Sequence, residues 1–363
     1  MNTTYSELKE SNPQNRYMSK ERQSNIELLR AIAMFLVLWV HADFYSIGEP
    51  SYSDVLSKPL DSSLKIIFEA ICISAVNIFV MISGWFGIHA KVKGLCAFLF
   101  QCLFFTIGLF IVNIICGYTT LSGQGLLGCV MMTSSNWFIK SYLFLYILSP
   151  VLNAFVETAP RVVFKKVLIA YFTMLIVCGW LFPESVTYIS LGYSPLSFIG
   201  LYLLARYVNL YRPKFSNYAA STDICVILGA IVCVSVVCSP PPLIGWEWAY
   251  SYAINRCFSY VSPLNIIIAL YSIIMFSKFH FKSKLINWCA ASCFAVFLFH
   301  SNAKFFGYSY QEMCQQLYAT YSTLEYWGIM FCVMIGIYVV AIFIDKIRIM
   351  MWDIIYEYRT LKK

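Results

Sequence analysis

The sequence is divided into long runs of apolar residues separated by short polar segments. The runs lie near residues 26–47, 66–86, 95–116, 137–157, 166–183, 190–209, 221–238, 257–277, 285–301 and 327–347. Each run is close to the ~20 residues that a helix needs to cross a bilayer. Only 12% of the residues are charged, whereas roughly 25% is usual in soluble domains. The sequence therefore predicts an all-α polytopic membrane protein with about ten transmembrane helices in a lipid bilayer.

The distribution of basic residues indicates how these helices are oriented. If successive loops alternate sides, 19 Lys and Arg residues fall on the side of the two termini and 4 on the opposite side, with three more inside helices. Because cytoplasmic loops carry an excess of Lys and Arg, both termini are predicted to be cytoplasmic. The predicted organisation is a cytoplasmic N-terminal tail over residues 1–25, a transmembrane domain over 26–348 and a cytoplasmic C-terminal tail over 349–363.

Charge, cysteine usage and motifs argue against several other classes of protein. The net charge of +8 comes from residues in short loops, so it sets the topology and predicts no nucleic-acid partner. Most of the 14 cysteines lie inside apolar runs and none form a C-x-x-C pair, which predicts no metal site. The sequence also lacks a nucleophile elbow, a Walker loop, an H-E-x-x-H motif and a dinucleotide-binding fingerprint.

The first apolar run contains two ionisable residues, Arg30 and His41. Such groups are costly at membrane depth and usually have a function there. Eleven helical positions at ~100° each make three turns plus ~20°, so both side chains lie on one face of the helix, ~16 Å apart along its axis. A guanidinium near one membrane surface and a deeper imidazole on the same stripe predict the wall of a solvated passage.

Under the predicted topology, polar residues from several helices share the outer half of the membrane with His41. They are Asp43, Glu69, Lys140, Arg256 and His300. Lipid cannot hydrogen-bond to them, so we expect them to face a wet cavity or one another. Two alternatives are open: Lys140 and Arg256 could extend to the membrane interface, and His300 could hydrogen-bond a carbonyl at a helix end.

A neutral imidazole in such a cavity can take a proton from a hydroxyl near neutral pH, which makes His41 the candidate general base. A carboxylate could orient the imidazole and stabilise its charged form, as in a catalytic triad. Asp43 and Glu69 are the candidates. Residues two apart on a helix point ~200° away from each other, so Glu69, from another helix, is the geometrically easier partner.

The sequence resembles the acyltransferase family 3 membrane proteins at four places. The first is Arg30, followed after ten residues by His41. The second is Phe79 to Phe86 at the end of the second apolar run, with Ser83 and Gly84 before the aromatic residues. The third is the run that starts at Trp137, and the fourth is the aliphatic and aromatic run from Phe294 to His300. In this order and spacing, the motifs extend over almost the whole chain after the N-terminal tail.

The resemblance implies a ten-helix enzyme of the bacterial cytoplasmic membrane that takes an acyl group, usually acetyl, from cytoplasmic acyl-CoA. Acetyl-CoA is then a co-substrate, and the acceptor is a sugar hydroxyl of a surface polysaccharide or glycolipid. Polysaccharide-assembly proteins are candidate partners. In that picture His41 is the general base and Arg30 helps to hold the donor. We add Ser83 and Gly84 as candidate donor residues, and Trp137, Lys140, Arg256 and His300 as candidate substrate-binding residues.

The sequence departs from the family after the second apolar run. Members often carry two arginines three residues apart there, whereas this chain has Lys91 and Lys93. A lysine is a point charge without the planar fork of a guanidinium. The two lysines are candidate ligands for the CoA phosphates, and the alternative is that they only set the topology.

Two other functions fit a ten-helix bundle with a polar cavity. One is a transporter or flippase for a saccharide or an acylated metabolite, although the sequence shows no inverted repeats and no matching pair of broken helices. The other is a catalytically inactive subunit of a polysaccharide-assembly complex. The presence of both Arg30 and His41 favours the enzyme.

Overall fold

The apolar runs are helices in the computed structural model, which describes residues 22–131, 137–182, 190–239 and 245–361. The first helices are α1 (Ser24–Ala42), α2 (Phe44–Ile47), α3 (Tyr52–Ser57), α4 (Pro59–Cys72), α5 (Ala75–Phe86), α6 (Val92–Ile115), α7 (Gly123–Met131), α8 (Trp137–Thr158) and α9 (Arg161–Met174). They are followed by α10 (Pro195–Tyr211), α11 (Ala220–Val237), α12 (Glu247–Cys257), α13 (Pro263–Ser277), α14 (Lys284–Ala290), α15 (Cys293–Asn302), α16 (Tyr310–Thr320) and α17 (Thr323–Leu361). The described ranges contain no β-strand, and residues 1–21 of the predicted tail lie outside them.

Eight helical segments in the described residues are long and apolar enough to cross a membrane. They are Ser24–Ile47, Pro59–Phe86, Val92–Ile115, Trp137–Thr158, Arg161–Leu181, Ala220–Val237, Lys284–Asn302 and Thr323–Tyr356. The other two predicted runs coincide with α10 and α13, which are shorter, with 17 and 15 residues. The prediction of an all-α polytopic membrane protein is confirmed, while the number of crossings and the side of each terminus stay predictions. Helix α17 continues to Leu361, through most of the predicted C-terminal tail.

Three of the membrane-spanning segments are each divided into two helices at a buried polar residue. Asp43 separates α1 from α2 with φ −90° and ψ −117°, Ser74 follows α4 directly before α5, and Ser292 precedes α15. All three side chains are less than 1% exposed. These breaks place buried polar groups inside the apolar segments, and His41 lies two residues before Asp43.

Helix α1 is the centre of the bundle. Its buried side chains, among them Leu29, Ala33 and Leu38, belong to one continuous apolar core that also contains residues of α5, α13 and α15. The peripheral helices leave large apolar side chains exposed, such as Val162 at 65% and Ile224 at 43%. Outer surfaces of this kind suit contact with lipid. Helix α1 lies inside the bundle, where it can line a polar space between the helices.

The two ends of the bundle differ in charge. Arg22 donates to the carbonyl of Asn287 at 3.2 Å, and the Lys93 ammonium lies 3.6 Å from the centre of the Tyr356 ring. We call the end that carries these residues the basic end, and the opposite one, where α1 and α15 finish, the distal end. The basic end is the one that the sequence predicts to be cytoplasmic.

Helix α16 fastens the distal ends of α1 and α2. The Tyr310 hydroxyl donates to the carbonyl of Leu38 at 3.0 Å, and the Gln315 amide donates to the carbonyl of Ser46 at 2.9 Å. A capping box starts α16, because Ser309 and Glu312 bond to each other's backbone amides. The amide and hydroxyl of Ser309, with help from Lys304, hold the pKa of Glu312 at about 2.

We expect this cap to stabilise the fold in a pH-dependent way. Because the folded pKa is below the ordinary value of 4.5, the stabilisation is present above about pH 5 and is lost as the pH falls towards 2. Glu312→Gln should lower stability at pH 7 by less than about 1 kcal/mol, since the side chain is half exposed and solvent weakens the interaction. Thermal unfolding of both proteins in detergent should converge at acidic pH; a constant difference down to pH 3 would contradict this origin.

Candidate active site

Arg30 and His41 both lie on α1, as the spacing predicted, Arg30 two turns from its start and His41 in its last turn. The Arg30 guanidinium donates to Glu27 at 2.7 Å and keeps 25% of its side chain exposed, while Glu27 is buried. His41 is partly exposed at the distal end. The anchored guanidinium and the imidazole are therefore on one continuous helix.

The partner of His41 is another histidine. Nδ1 of His41 lies 2.7 Å from Nε2 of His300, and Nδ1 of His300 lies 2.8 Å from the carbonyl oxygen of Val296, one turn earlier in α15. His300 is 3% exposed. His300 thus bonds a carbonyl inside its own helix, not one at a helix end, and it also contacts the candidate base.

This chain of contacts fixes the tautomer of both neutral rings. A carbonyl oxygen can only accept, so the proton of His300 is on Nδ1 and its Nε2 is a lone-pair acceptor. His41 must then donate from Nδ1, which leaves the lone pair of its Nε2 free. Among the described residues, none hydrogen-bonds this nitrogen. The two contacts thus leave Nε2 of His41 as an unprotonated acceptor in this arrangement.

The structure does not give the orienting role to a carboxylate. Asp43 and Glu69 are 0% and 2% exposed, and within the described part of the chain both oxygens of Asp43 and one of Glu69 have no hydrogen-bond partner. Neither bonds to His41, whose Nδ1 is taken by His300. The expected contact between Glu69 and the His41 imidazole is not found in the described structure, because the packing of α15 against α1 places the His300 imidazole at Nδ1 of His41.

A cavity of about 300 Å³ opens at the basic end of the bundle. Its lining residues are Arg22, Arg30, Phe79, Ser83, Phe98, Gln101, Phe138, Tyr142, Ala290, Ala291 and Phe294. The predicted donor residues Arg30 and Ser83 are thus together, and the Ser83 hydroxyl is 3.1 Å from that of Tyr142. The lining contains two guanidiniums, two hydroxyls and one amide, and the remaining side chains are mostly phenylalanine rings. Such a lining suits a ligand with an anionic and an apolar end.

Sequence reasoning missed Arg22 and Gln101 as cavity residues. Arg22 was assigned to the tail, and its position beside Arg30 depends on the contact with Asn287. Gln101 donates to the buried carboxylate of Asp345, which also accepts two bonds from Arg348. A single polar residue in a long apolar run was the only signal for Gln101.

Three predicted donor residues lie outside the cavity. Gly84 packs against α10, where an added Cβ would lie 2.5 Å from the carbonyl oxygen of Tyr202, so close helix packing is its role. Lys91 and Lys93 are exposed; the backbone of Lys91 bonds to Tyr146, and Lys93 lies over Tyr356. The basic residues that line the cavity are Arg22 and Arg30, and the two lysines are not among them.

Aromatic rings separate this cavity from the histidine pair. Phe294 and Phe138, both in the cavity lining, lie 5.9 and 5.7 Å from Phe297, and Phe297 lies 6.2 Å from the His41 ring. The predicted passage from Arg30 to His41 is therefore closed by phenylalanine side chains and is not one open channel. A ligand that reaches His41 from the basic end has to displace these rings.

The predicted acceptor residues are only partly brought together. His300 contacts His41, and Trp137 packs at 6.1 Å on Phe138. Lys140 is exposed. Arg256 lies 4.7 Å over the Tyr252 ring, and its carbonyl accepts from Trp180. Neither basic residue contacts the histidine pair in the described structure, and the alternative that both extend to the membrane interface stays open.

The family comparison agrees with these observations. A family model of the acyltransferase domain matches residues 23–346, a range that includes Arg30, His41 and His300. Neither the curated proteins nor the solved structures contain a match. Because the matched range is most of the chain and the fold is polytopic and helical, the chain belongs to the acyltransferase family 3 membrane proteins.

Proposed function

We propose that the protein transfers an acyl group, acetyl in the simplest case, from cytoplasmic acetyl-CoA to a sugar hydroxyl of a surface polysaccharide or glycolipid. It does so in the bacterial cytoplasmic membrane, with the basic end in the cytoplasm. The observation that carries the proposal is the bond from His41 to His300, because it leaves one imidazole nitrogen unprotonated and partly accessible at the distal end.

In this proposal His41 acts as the general base. The acceptor hydroxyl donates to Nε2 of His41, its oxygen attacks the thioester carbonyl, and the proton passes to the imidazole. The carbon–sulfur bond then breaks, and the released thiolate takes the proton from His41, so the imidazole is neutral again. His300 keeps accepting from Nδ1 throughout, and it plays the orienting part that a carboxylate has in a triad.

The cavity at the basic end supports donor binding. Its volume of about 300 Å³ is at the lower end of the ~300–1,000 Å³ that is usual for ligand pockets, so it suits an acyl-pantetheine arm and leaves a nucleotide at the mouth. Arg22 is exposed there and can bind phosphate with its guanidinium fork. The arm reaches His41 when Phe138, Phe294 and Phe297 move aside.

Arg22→Ala should raise the KM for acetyl-CoA by roughly 10-fold with a smaller change in kcat. The reason is that a charge-assisted bond to a phosphate adds ~1.5–3 kcal/mol and this arginine is partly solvated. Arg22→Lys should recover part of the loss. The matched control is the double variant Lys91→Ala with Lys93→Ala, which should leave the KM within about twofold; the reverse ranking would assign the phosphates to the lysines.

The function is tested by transfer of ¹⁴C-labelled acetyl from acetyl-CoA by the purified protein in detergent. Polysaccharide extracted from cells that lack this chain serves as acceptor, and mass spectrometry locates the added acetyl. An enzyme works without a sealed compartment. A carrier requires vesicles and leaves its cargo unchanged, so uptake of unmodified glycan with no acetyl transfer would favour the transporter and overturn the proposal.

A further inference from the structure

One residue of the cavity at the basic end lies well inside a membrane-spanning helix and has no part in the reaction proposed above. Gln101 belongs to α6 and lines the cavity together with Phe98, three residues earlier on the same face of the helix. It is nine residues from the start of α6 at the basic end, which corresponds to ~14 Å along the helix axis. An amide among apolar side chains is costly without hydrogen bonds, so its partners indicate what it does.

A buried ion pair of α17 holds the amide nitrogen of Gln101. Nε2 of Gln101 donates to Oδ1 of Asp345 at 2.9 Å, and Arg348 donates to the same oxygen from Nε at 2.9 Å and from Nη2 at 2.8 Å. Asp345 is fully buried, and Arg348 is 7% exposed. The rings of Phe100 and Trp352, 5.4 Å apart, also join α6 to α17. The position of the Gln101 side chain is therefore fixed by the packing of two helices.

These bonds also decide the orientation of the Gln101 amide. A carboxylate oxygen can only accept, so the NH₂ group of Gln101 must face Asp345, and the carbonyl oxygen Oε1 is directed away from it. Among the described residues, none donates a hydrogen bond to Oε1. The ion pair thus leaves Oε1 as an acceptor for a ligand in the cavity that Gln101 lines.

The other polar side chains of the lining are less suited to accept a hydrogen bond. The guanidiniums of Arg22 and Arg30 can only donate. The hydroxyls of Ser83 and Tyr142 lie 3.1 Å apart and bond to each other. Gln101 is therefore the side chain of this lining with an acceptor atom that has no partner in the described structure.

The pantetheine arm of acetyl-CoA needs acceptors of this kind. It carries two secondary amides, and each N–H loses its water when the arm enters a cavity lined largely by phenylalanine rings. A donor that finds no acceptor in such surroundings weakens binding. A carbonyl oxygen fixed in the lining removes that cost for one of the two amides.

Glutamine side chains often connect membrane helices without binding a ligand. In that case Gln101 would only fasten α6 to α17 through Asp345, and loss of its amide would change stability without affecting one ligand more than another. Its place in the cavity lining and the unpartnered Oε1 are not required for such a role. Both suit a residue that contacts the donor.

We propose that Oε1 of Gln101 accepts a hydrogen bond from one amide N–H of the pantetheine arm of the acyl donor. Gln101 is then a donor-binding residue, and Asp345 and Arg348 are the positioning residues that fix its orientation. This inference rests on the proposed acyl transfer and names the group that recognises the arm in the cavity.

The test measures inhibition of ¹⁴C-acetyl transfer by pantetheine, which competes with acetyl-CoA, and by its two analogues in which an ester oxygen replaces one amide N–H. With the wild type, one analogue should bind about 3- to 10-fold more weakly than pantetheine, the usual contribution of a neutral hydrogen bond. Gln101→Met keeps the length of the side chain without the amide. It should raise the inhibition constant of pantetheine and the KM for acetyl-CoA by the same factor, and it should bind that analogue as well as it binds pantetheine.

Thr106→Val is the matched control. Thr106 belongs to the same helix but lies outside the cavity lining, and its hydroxyl donates to the carbonyl of Cys102 within α6. This variant should leave both constants within about twofold of the wild type. A loss equal to that of Gln101→Met would show a general effect of disturbing α6 and would overturn the inference.

The remaining outcomes separate the donor contact from the reaction itself. If a wild type that transfers acetyl binds pantetheine and both analogues equally, or is not inhibited by pantetheine, the inference is overturned without any variant and the proposed function stands. A Gln101→Met protein that discriminates between pantetheine and the analogues as the wild type does would also overturn it and return Gln101 to a purely interhelical role. Absence of acetyl transfer by the wild type would overturn the proposed function, and the donor contact with it.

Discussion

His41→Ala is expected to lower the rate of acyl transfer by about 10²–10⁴-fold, the usual contribution of a positioned general base. The acceptor hydroxyl would then have to attack the thioester while it still carries its proton. The KM for acetyl-CoA should change little, because His41 is not part of the cavity lining at the basic end. The loss should therefore appear in kcat.

The rate is measured as ¹⁴C-acetyl incorporated into polysaccharide at saturating acetyl-CoA. Gel filtration and the unfolding temperature in detergent show that the variant is folded. His280→Ala is the matched control, since His280 is exposed in the segment after α13 and should keep the wild-type rate. A His41→Ala protein that stays within about threefold of wild type would remove His41 as the base.

The helices could be predicted from the sequence because each depends on a local property, the length of an apolar run. Their breaks could not. Asp43, Ser74 and Ser292 interrupt helices at positions where the sequence stays largely apolar on both sides. These interruptions depend on the neighbouring helices that cover the freed backbone groups, so the run near 26–47 contains two helices instead of one.

The site was predictable only within one helix. The angular spacing of Arg30 and His41 follows from helix geometry alone, and the structure has both residues on α1. Which group contacts the imidazole depends on how α15 packs on α1, and no sequence period encodes that. Sequence reasoning placed His300 at the same level as His41, and the two rings are in contact. It chose Glu69 as the partner, because a carboxylate is the commoner companion of a catalytic histidine.

Sequence reasoning missed a cavity residue whose side chain comes from outside the apolar runs. Arg22 precedes α1 and was counted among the tail charges, yet its contact with Asn287 of α14 holds it beside Arg30. In contrast, Lys91 and Lys93 had the expected position in the chain but are not part of the cavity lining. Charge and sequence position therefore identify candidates, and tertiary contacts select among them.

His300→Leu is expected to lower kcat by about 10–100-fold, because the Nδ1–H of His41 then has no acceptor, and such an unsatisfied donor costs ~1–3 kcal/mol. Without an acceptor for its Nδ1 proton, His41 can carry its proton on either nitrogen and can rotate. A fraction of the molecules then presents a protonated Nε2, which cannot act as a base. The KM values for donor and acceptor should change much less than kcat.

If His300 positions His41, two results are expected that would not follow if the leucine variant only lost packing. His300→Gln should recover much of the rate, because the amide oxygen can accept from Nδ1 of His41, whereas leucine fills the space without accepting. The pH–rate profile of the leucine variant should also shift, since the environment of the base has changed. Glu69→Gln provides the comparison: a larger loss there than in His300→Leu, with no rescue by His300→Gln, would return the orienting role to the carboxylate and contradict the histidine pair.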